Sequence, residues 1–354
     1  MLAFADYMDG FVLLNLGTPD SHQVSDVRKY LAEFLMDPLV IDIPFVARLA
    51  LIYGIILPFR PKKSAAAYQK IWTERGSPLL FHLVDLGEKV KKNLNSDFQV
   101  EIAMRYGKPT LETAMKKLQT AGVKKIKVLP LYPQYSLAAT ESSIVKAKEI
   151  AKNLGVLDRL EILPAFYKDG RFVDSFSEIA ENSLREFKYD YILFSFHGLP
   201  ERHIKKTEHG DKSHCLATEN CCETITNENR DCYRAQSFAS AHAIAQKLGL
   251  TKSDYGKKYS VSFQSRLGRT PWIRPYTDLV FGDLVKQGVK RLAVVCPSFV
   301  ADCLETVEEI EIRGKESFIS FGGEALKLVP SLNSSESWVK AVSEFARNPE
   351  TMNK

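Results

Sequence analysis

The sequence has no apolar run long enough to cross a bilayer. Its longest uncharged run, LALIYGIILPF at 49–59 between Arg48 and Arg60, has eleven residues. A spanning helix takes about 20. There is no basic, apolar leader either. MLAFADYMDG carries Asp6 and Asp9 and no Lys or Arg, which argues against a secretory signal. Low-complexity tracts are missing, and so is an excess of charge of one sign. With 48 basic and 43 acidic residues the net charge is +5, spread along the chain. That favours an anionic small molecule or lipid surface and is too little for nucleic acid. These absences lead to the expectation of a cytoplasmic protein in a reducing compartment, where clustered cysteines read as metal ligands rather than disulfides.

What is there is ordinary for a folded protein: 354 residues, 45% hydrophobic and 26% charged. The length suits two domains. Apolar, β-branched runs at 11–17 (FVLLNLG), 126–132 (IKVLPLY), 191–197 (YILFSFH) and 292–299 (LAVVCPSF) read as buried strands. Helix-period segments such as LETAMKKLQTA (111–121) and TDLVFGDLVKQ (277–287) lie between them. The alternation predicts an α/β fold of parallel sheets covered by helices. The chain also echoes itself. A helix followed by GVKKIKVLPLYPQ is matched by a helix followed by GVKRLAVVCPSF, and LLNLGTP is matched by LFSFHGLP. Two related halves follow, with a boundary near 160–170. Ligands of open α/β sheets bind beyond the carboxyl ends of the strands, which here carry Asn15, Tyr132, His197 and Phe299. If the halves face each other, these four positions line one cleft.

Three groups of residues carry candidate chemistry. His197 ends a strand before a Gly-Leu-Pro turn, where an imidazole can accept a proton or bind a metal. In FVADCLETVEEIEI (299–312), Asp302, Glu305 and Glu309 recur at i, i+3, i+7. On a helix they share one face and suit protons or a divalent cation; the bland alternative is a solvated acidic surface. Arg60, Lys63, Tyr68, Arg105 and Tyr106 offer charge and aromatic surface to the acidic groups of a flat apolar ligand. Against that stands a solvated basic face.

Four of the six cysteines, Cys215, Cys221, Cys222 and Cys232, fall in one polar stretch with the spacing C-x5-C-C-x9-C. Adjacent Cys221 and Cys222 make a poor disulfide pair, and metal binding is the better explanation. The spacing has neither the C-x2-4-C knuckles of structural zinc nor a ferredoxin pattern. His203, His209 and His214 are nearby candidate ligands, and spare thiols are the alternative.

NLGTP near the start, YPQYS (132–136), SFHGLP with His197, FQSRLG followed by Trp272, and FVADCLET with Glu305 occur in an order that resembles the ferrochelatases, from about residue 10 to about 345. The resemblance implies two similar Rossmann-like, chelatase-type domains. These are 1–165, with an apolar lip at 45–59, and 166–354, with a cysteine-rich insert at 203–234 and a C-terminal helix. It implies an enzyme that inserts ferrous iron into protoporphyrin IX to make protohaem. His197 would abstract a pyrrole proton or meet the metal, with Glu305 as its acidic partner and Asp302 and Glu309 on a path for protons or iron. Arg60, Lys63, Arg105 and Tyr68 would hold the porphyrin and its propionates, and Leu16, Tyr106, Trp272 and Phe299 would pack its ring. It further implies a 2Fe–2S cluster on Cys215, Cys221, Cys222 and Cys232. Peripheral contact of the lip with the inner face of the plasma membrane also follows, and a homodimer is left open. Two departures stand out. Cys303 occupies the place of a second histidine in many relatives, and no cysteine follows it. The competing readings are a chelatase for coproporphyrin or cobalt, and a non-catalytic haem or Fe–S sensor.

Overall fold

The computed structural model describes residues 8–268 and 270–353. Residues 1–7, on which the reading of the N-terminus partly rests, lie outside the described residues. The chain forms two compact units. One comprises the chain through Tyr132 with Leu137–Ala165 and Ser334–Met352; the other comprises Pro133–Ser136, Phe166–Asn333 and Asn353.

The first unit is built on strands β1 (Asp9–Gly17), β2 (Phe98–Tyr106), β3 (Ile126–Pro130) and β4 (Leu160–Ile162). All pair in parallel in the order β2-β1-β3-β4. The second has β5 (Tyr191–His197), β6 (Tyr259–Gln264), β7 (Arg291–Val295) and β8 (Ala325–Leu328), also parallel, in the order β6-β5-β7-β8. The two sheets therefore repeat one topology, as the internal echo predicts. Each central strand is covered on both faces. Phe11 to Leu14 and Ile192 to Phe194 are wholly excluded from solvent, which is why these runs are continuously apolar. In each sheet the chain order reverses beside the first strand, at β1/β3 and at β5/β7. Such switch points are where open α/β sheets take ligands.

Two segments differ from the sequence-based halves. The helix Glu336–Arg347, read there as part of the second half, packs on the helix Pro78–Leu94 of the first unit. Its end is fixed by Lys127 Nζ donating to Ala346 O at 2.9 Å and by Arg347 donating to Asn93 O at 2.8 Å. Conversely, Pro133–Ser136 belongs to the second unit. There Gln134 donates to Ser240 Oγ, and the Tyr135 N–H donates to Gln236 Oε1.

Candidate active site

In the second unit, His197 is the last residue of β5. Its Nδ1 lies 2.6 Å from Gly198 O. A carbonyl only accepts, so Nδ1 carries the proton, and in the neutral ring Nε2 keeps an open lone pair. The His197 N–H donates to Ser298 Oγ at 3.1 Å, and the ring meets Phe299 edge-on at 6.2 Å. Gly198 is held tightly, because a Cβ there would stand 2.7 Å from Gln264 O and 3.3 Å from the Trp272 ring. The turn after the histidine is zipped to the Trp272 segment, with Ile273 N–H on Leu199 O and Glu201 N–H on Pro271 O.

The acidic residues follow β7 on a wide i→i+5 helix, Leu304–Gly314. Such π-type turns are rare and recur at functional sites. Glu305 and Glu309, four residues apart, share its face. Gln264, at the end of β6, donates Nε2 to Glu305 O at 2.8 Å and accepts the Ser195 hydroxyl at 2.7 Å. Ser265 donates its N–H and its hydroxyl to Glu309, at 2.8 and 2.5 Å, from a left-handed backbone with φ +66°. Burial pushes the Glu309 carboxyl above the usual range and the charge of Glu305 adds to this, while Ser265, His197 and Arg313 pull it down. Glu309 is therefore in electrostatic reach of both His197 and Glu305. Burial also pushes the Cys303 thiol well up, and its hydrogen bond to the Glu305 carboxylate acts the same way.

Asp302 does not share the acidic face. It precedes the helix, and its carboxylate accepts from Asn333 Nδ2 (2.8 Å), Thr306 Oγ1 (3.1 Å) and the Ser331 N–H (3.2 Å). The i, i+3, i+7 pattern assumes an α-helix running from 302. The extended backbone at Cys303 breaks it.

In the first unit the predicted binding residues divide. Arg60 and Lys63 are exposed on the helix Leu57–Ile71, Tyr68 is buried on it, and Leu16 is half-buried in β1. Arg105 and Tyr106 are both engaged by partners within the unit. Arg105 Nη2 meets Asp37 Oδ2 at 2.5 Å and its Nε donates to Ser142 Oγ at 2.8 Å. The buried Tyr106 hydroxyl donates to the same Asp37 oxygen at 2.9 Å. Asn15 accepts the Leu16 N–H, and Tyr132 is buried against Ser143.

This arrangement can move a proton from an imidazole to neighbouring carboxylates. Which chemistry it serves is decided by kinship. The sequence pattern of the Ferrochelatase family matches residues 8–349. The chain is 49% identical over 340 residues to a ferrochelatase of Coxiella burnetii, covering 96% of this chain and 93% of that one. The chain belongs to the ferrochelatase family. It is a lyase of haem biosynthesis that inserts iron into a porphyrin. A ferrochelatase of Legionella pneumophila is 44% identical, covering 94% of this chain and 97% of the relative. One of Bdellovibrio bacteriovorus is 43% identical, covering 96% and 98%. The fold is also that of SirB from Bacillus subtilis, solved with Fe3+, at a TM-score of 0.53 and 11% identity. That match covers 98% of this chain and 96% of the other.

Ferrochelatase chemistry does not by itself account for the four cysteines. The structure nevertheless buries all of them, at 5, 7, 4 and 1% exposure for Cys215, Cys221, Cys222 and Cys232. Asn229, fully buried, organises the polar loop by donating to Cys221 O and Thr224 O. The sulfurs run in a chain of contacts. The sulfurs of Cys221 and Cys222 are 3.7 Å apart, and the free thiols of Cys222 and Cys232 and of Cys232 and Cys215 are in hydrogen-bonding contact. These contacts raise the thiols: Cys215, then burial, lifts Cys232 to about 12, and Cys232 and burial lift Cys222 further. Among the described residues no group of three or more His, Cys, Asp or Glu is set to hold a single metal ion. His209 pairs with Asp231 at 2.7 Å, and His214 Nε2 sits 3.0 Å from Cys221 O.

Gln264, Ser265 and Ser298 escaped the sequence reading as site residues. The signal for the first two lay in FQSRLG itself, whose polar pair straddles the end of strand β6.

Proposed function

We propose that the enzyme inserts ferrous iron into protoporphyrin IX, with His197 as the group that takes a pyrrole proton and Glu305 and Glu309 as the carboxylates that pass it on. A metal-free porphyrin carries two inward N–H groups, and iron enters only as those protons leave. The observation that supports the reading is the His197 tautomer: Nδ1–H is tied to Gly198 O, so Nε2 is the basic atom. Glu309, whose proton affinity burial raises, lies in electrostatic reach and suits a relay better than an ordinary surface carboxylate. Trp272 and Phe299, both half-buried near His197, offer ring faces to the macrocycle. Leu16, Arg60, Lys63 and Tyr68 are further proposed porphyrin contacts, the two cations for its propionates. Asp302 acts as a brace rather than a relay group.

The test is iron insertion without air, measured on protoporphyrin IX and coproporphyrin III side by side. Faster turnover on protoporphyrin IX is expected, with a loss of about 10²-fold or more in His197→Ala. Faster turnover on coproporphyrin III would overturn the substrate assignment. Near-normal activity of His197→Ala would overturn the proton role.

We further infer that Cys215, Cys221, Cys222 and Cys232 hold a 2Fe–2S cluster. The donor set fits. Four free, buried thiols crowd together, and the 3.7 Å between two sulfurs is close to the ~3.8 Å edge of a tetrahedron with metal–sulfur bonds of ~2.3 Å. The cluster would supply a one-electron redox couple, and no step of iron insertion is assigned to it. Visible charge-transfer bands of the anaerobically purified protein, lost in Cys222→Ser, are the expected result; a colourless protein overturns it.

A further inference from the structure

Arg234 touches both the sulfurs and the backbone of the segment that carries Trp272. It follows Cys232 by two residues, in the first turn of the helix Tyr233–Lys247. Its Nη1 donates to Cys222 Sγ at 3.0 Å and reaches Cys221 Sγ at 3.9 Å. Its Nε faces Arg274 O at 3.4 Å, and its guanidinium lies over the Phe238 ring at 4.8 Å. The guanidinium is thus fixed on three sides. The Phe238 ring and the carbonyl orient it, and Nη1 is left to donate to sulfur. A planar, permanently charged fork suits that task where an ammonium does not.

We propose that Arg234 sets the reduction potential of the group held by the four cysteines and ties that group to the segment carrying Trp272. The inference rests on the cluster reading above. Hydrogen bonds and positive charge at the sulfurs favour the reduced state, which carries one more electron and so one more negative charge. The electron comes from an external reductant, and the cysteines stay ligated in both states. The structural tie is continuous. Arg234 bonds to Arg274 O, the neighbouring Ile273 N–H bonds to Leu199 O, and Leu199 is two residues from His197.

The experiment is a potentiometric titration with dithionite of the anaerobically purified holoprotein, followed by visible absorption and electron paramagnetic resonance. Arg234→Met keeps length and apolar packing but removes charge and donors. Its oxidised-to-reduced ratio at a fixed potential is expected to rise about tenfold, a fall of ~59 mV for a one-electron couple. Arg234→Lys, which keeps the charge on a single donor centre, is expected to fall between Met and wild type. The intrinsic fluorescence of the Trp272 region is expected to shift in both variants. An unchanged midpoint in Arg234→Met, with the visible bands intact, overturns the inference and leaves the cluster standing. Loss of the bands in both variants with the fold intact also overturns it, because Arg234 is then needed for assembly rather than tuning. A wild-type protein without the bands removes the cluster reading, and this inference with it.

Discussion

Ser265 gives both its backbone N–H and its hydroxyl to the carboxylate of Glu309, at 2.8 and 2.5 Å. The two donors stabilise the ionised carboxylate against burial, which acts the other way. The left-handed backbone of Ser265, at φ +66°, aims both groups at one acceptor. Ser265→Ala removes the hydroxyl and leaves Glu309 harder to ionise. If Glu309 passes protons on as an anion, the acid limb of the kcat/KM profile moves to higher pH, and Ser265→Asn, which tolerates the left-handed backbone and keeps a side-chain donor, restores it in part. A pH–rate comparison of the three proteins checks this. An unmoved limb would separate Glu309 from the rate.

The raised Glu309 pKa also bears on stability. The folded state holds this proton to a higher pH than the unfolded chain does. Stability from that difference is present below the ordinary carboxylate range and is lost as pH rises through the raised folded value. Glu309→Gln keeps the shape without the titration. Its melting temperature is expected to decline less between about pH 4 and 7 than that of the wild type. Parallel curves for the two proteins would contradict the assignment.

Gly198 is the cheapest place to disturb His197 without touching it. A methyl there meets the Gln264 carbonyl at 2.7 Å, and that same carbonyl accepts the Gly198 N–H. Backbone cannot give way as a side-chain tip can, so the β5–β6 ends must part. Gly198→Ala is expected to lower kcat by about tenfold or more, since misplacement of about 1 Å at a reacting group can cost 10²-fold. Porphyrin binding, read by fluorescence quenching, is expected to change less. Wild-type kcat would show that the strand ends tolerate the shift.

The central strands β1, β3, β5 and β7 were all legible in the sequence, and the edge strands β2, β4, β6 and β8 were not. The physical reason is burial. A central parallel strand is apolar on both faces, as in FVLLNLG, whereas FQVEIAMRY is half-covered and YSVSFQ, though largely buried, carries Ser260, Ser262 and Gln264 on hydrogen-bonding duty rather than a continuous apolar run. The site divides the same way. His197 could be placed because it ends an apolar strand, and Glu305 because it lies in the acidic run that follows another. Asp302 was misplaced because a π-type helix starting at 304 cannot be told from an α-helix by spacing. Arg105 looked like an open cation because Asp37, its partner 68 residues away, leaves no mark near it in the chain. The cysteines were judged too polar in context to be core, yet the fold buries them. Asn229 ties up the loop carbonyls of Cys221 and Thr224 while the sulfurs contact one another, which composition does not record.

The lip inverts the usual pattern of a surface helix. Between 45 and 59, Phe45, Val46, Leu49, Tyr53, Ile55 and Phe59 are exposed, with Val46 at 76% and Phe59 at 77%. Arg48 is buried, its guanidinium donating to Ile41 O and Ile43 O at 3.1 Å each. The charge is turned inward to brace the helix while the apolar groups face out. Among the described residues no helix is long and apolar enough to cross a membrane, so such a face suits the lipid boundary rather than a span. The exposed Arg60 and Lys63 follow at once and suit lipid phosphates as well as propionates. Fully burying a side chain of the Val or Phe class is worth about 1.5–3 kcal/mol. The double variant Val46→Ser, Phe59→Ser is therefore expected to partition at least about tenfold less onto vesicles containing anionic lipid, a difference of about 1.4 kcal/mol that partial insertion already reaches. Its melting temperature should match the wild type, since neither side chain is buried. Co-sedimentation with vesicles reads the first and a thermal scan the second. Equal partitioning of the two proteins would leave this apolar face without a lipid role.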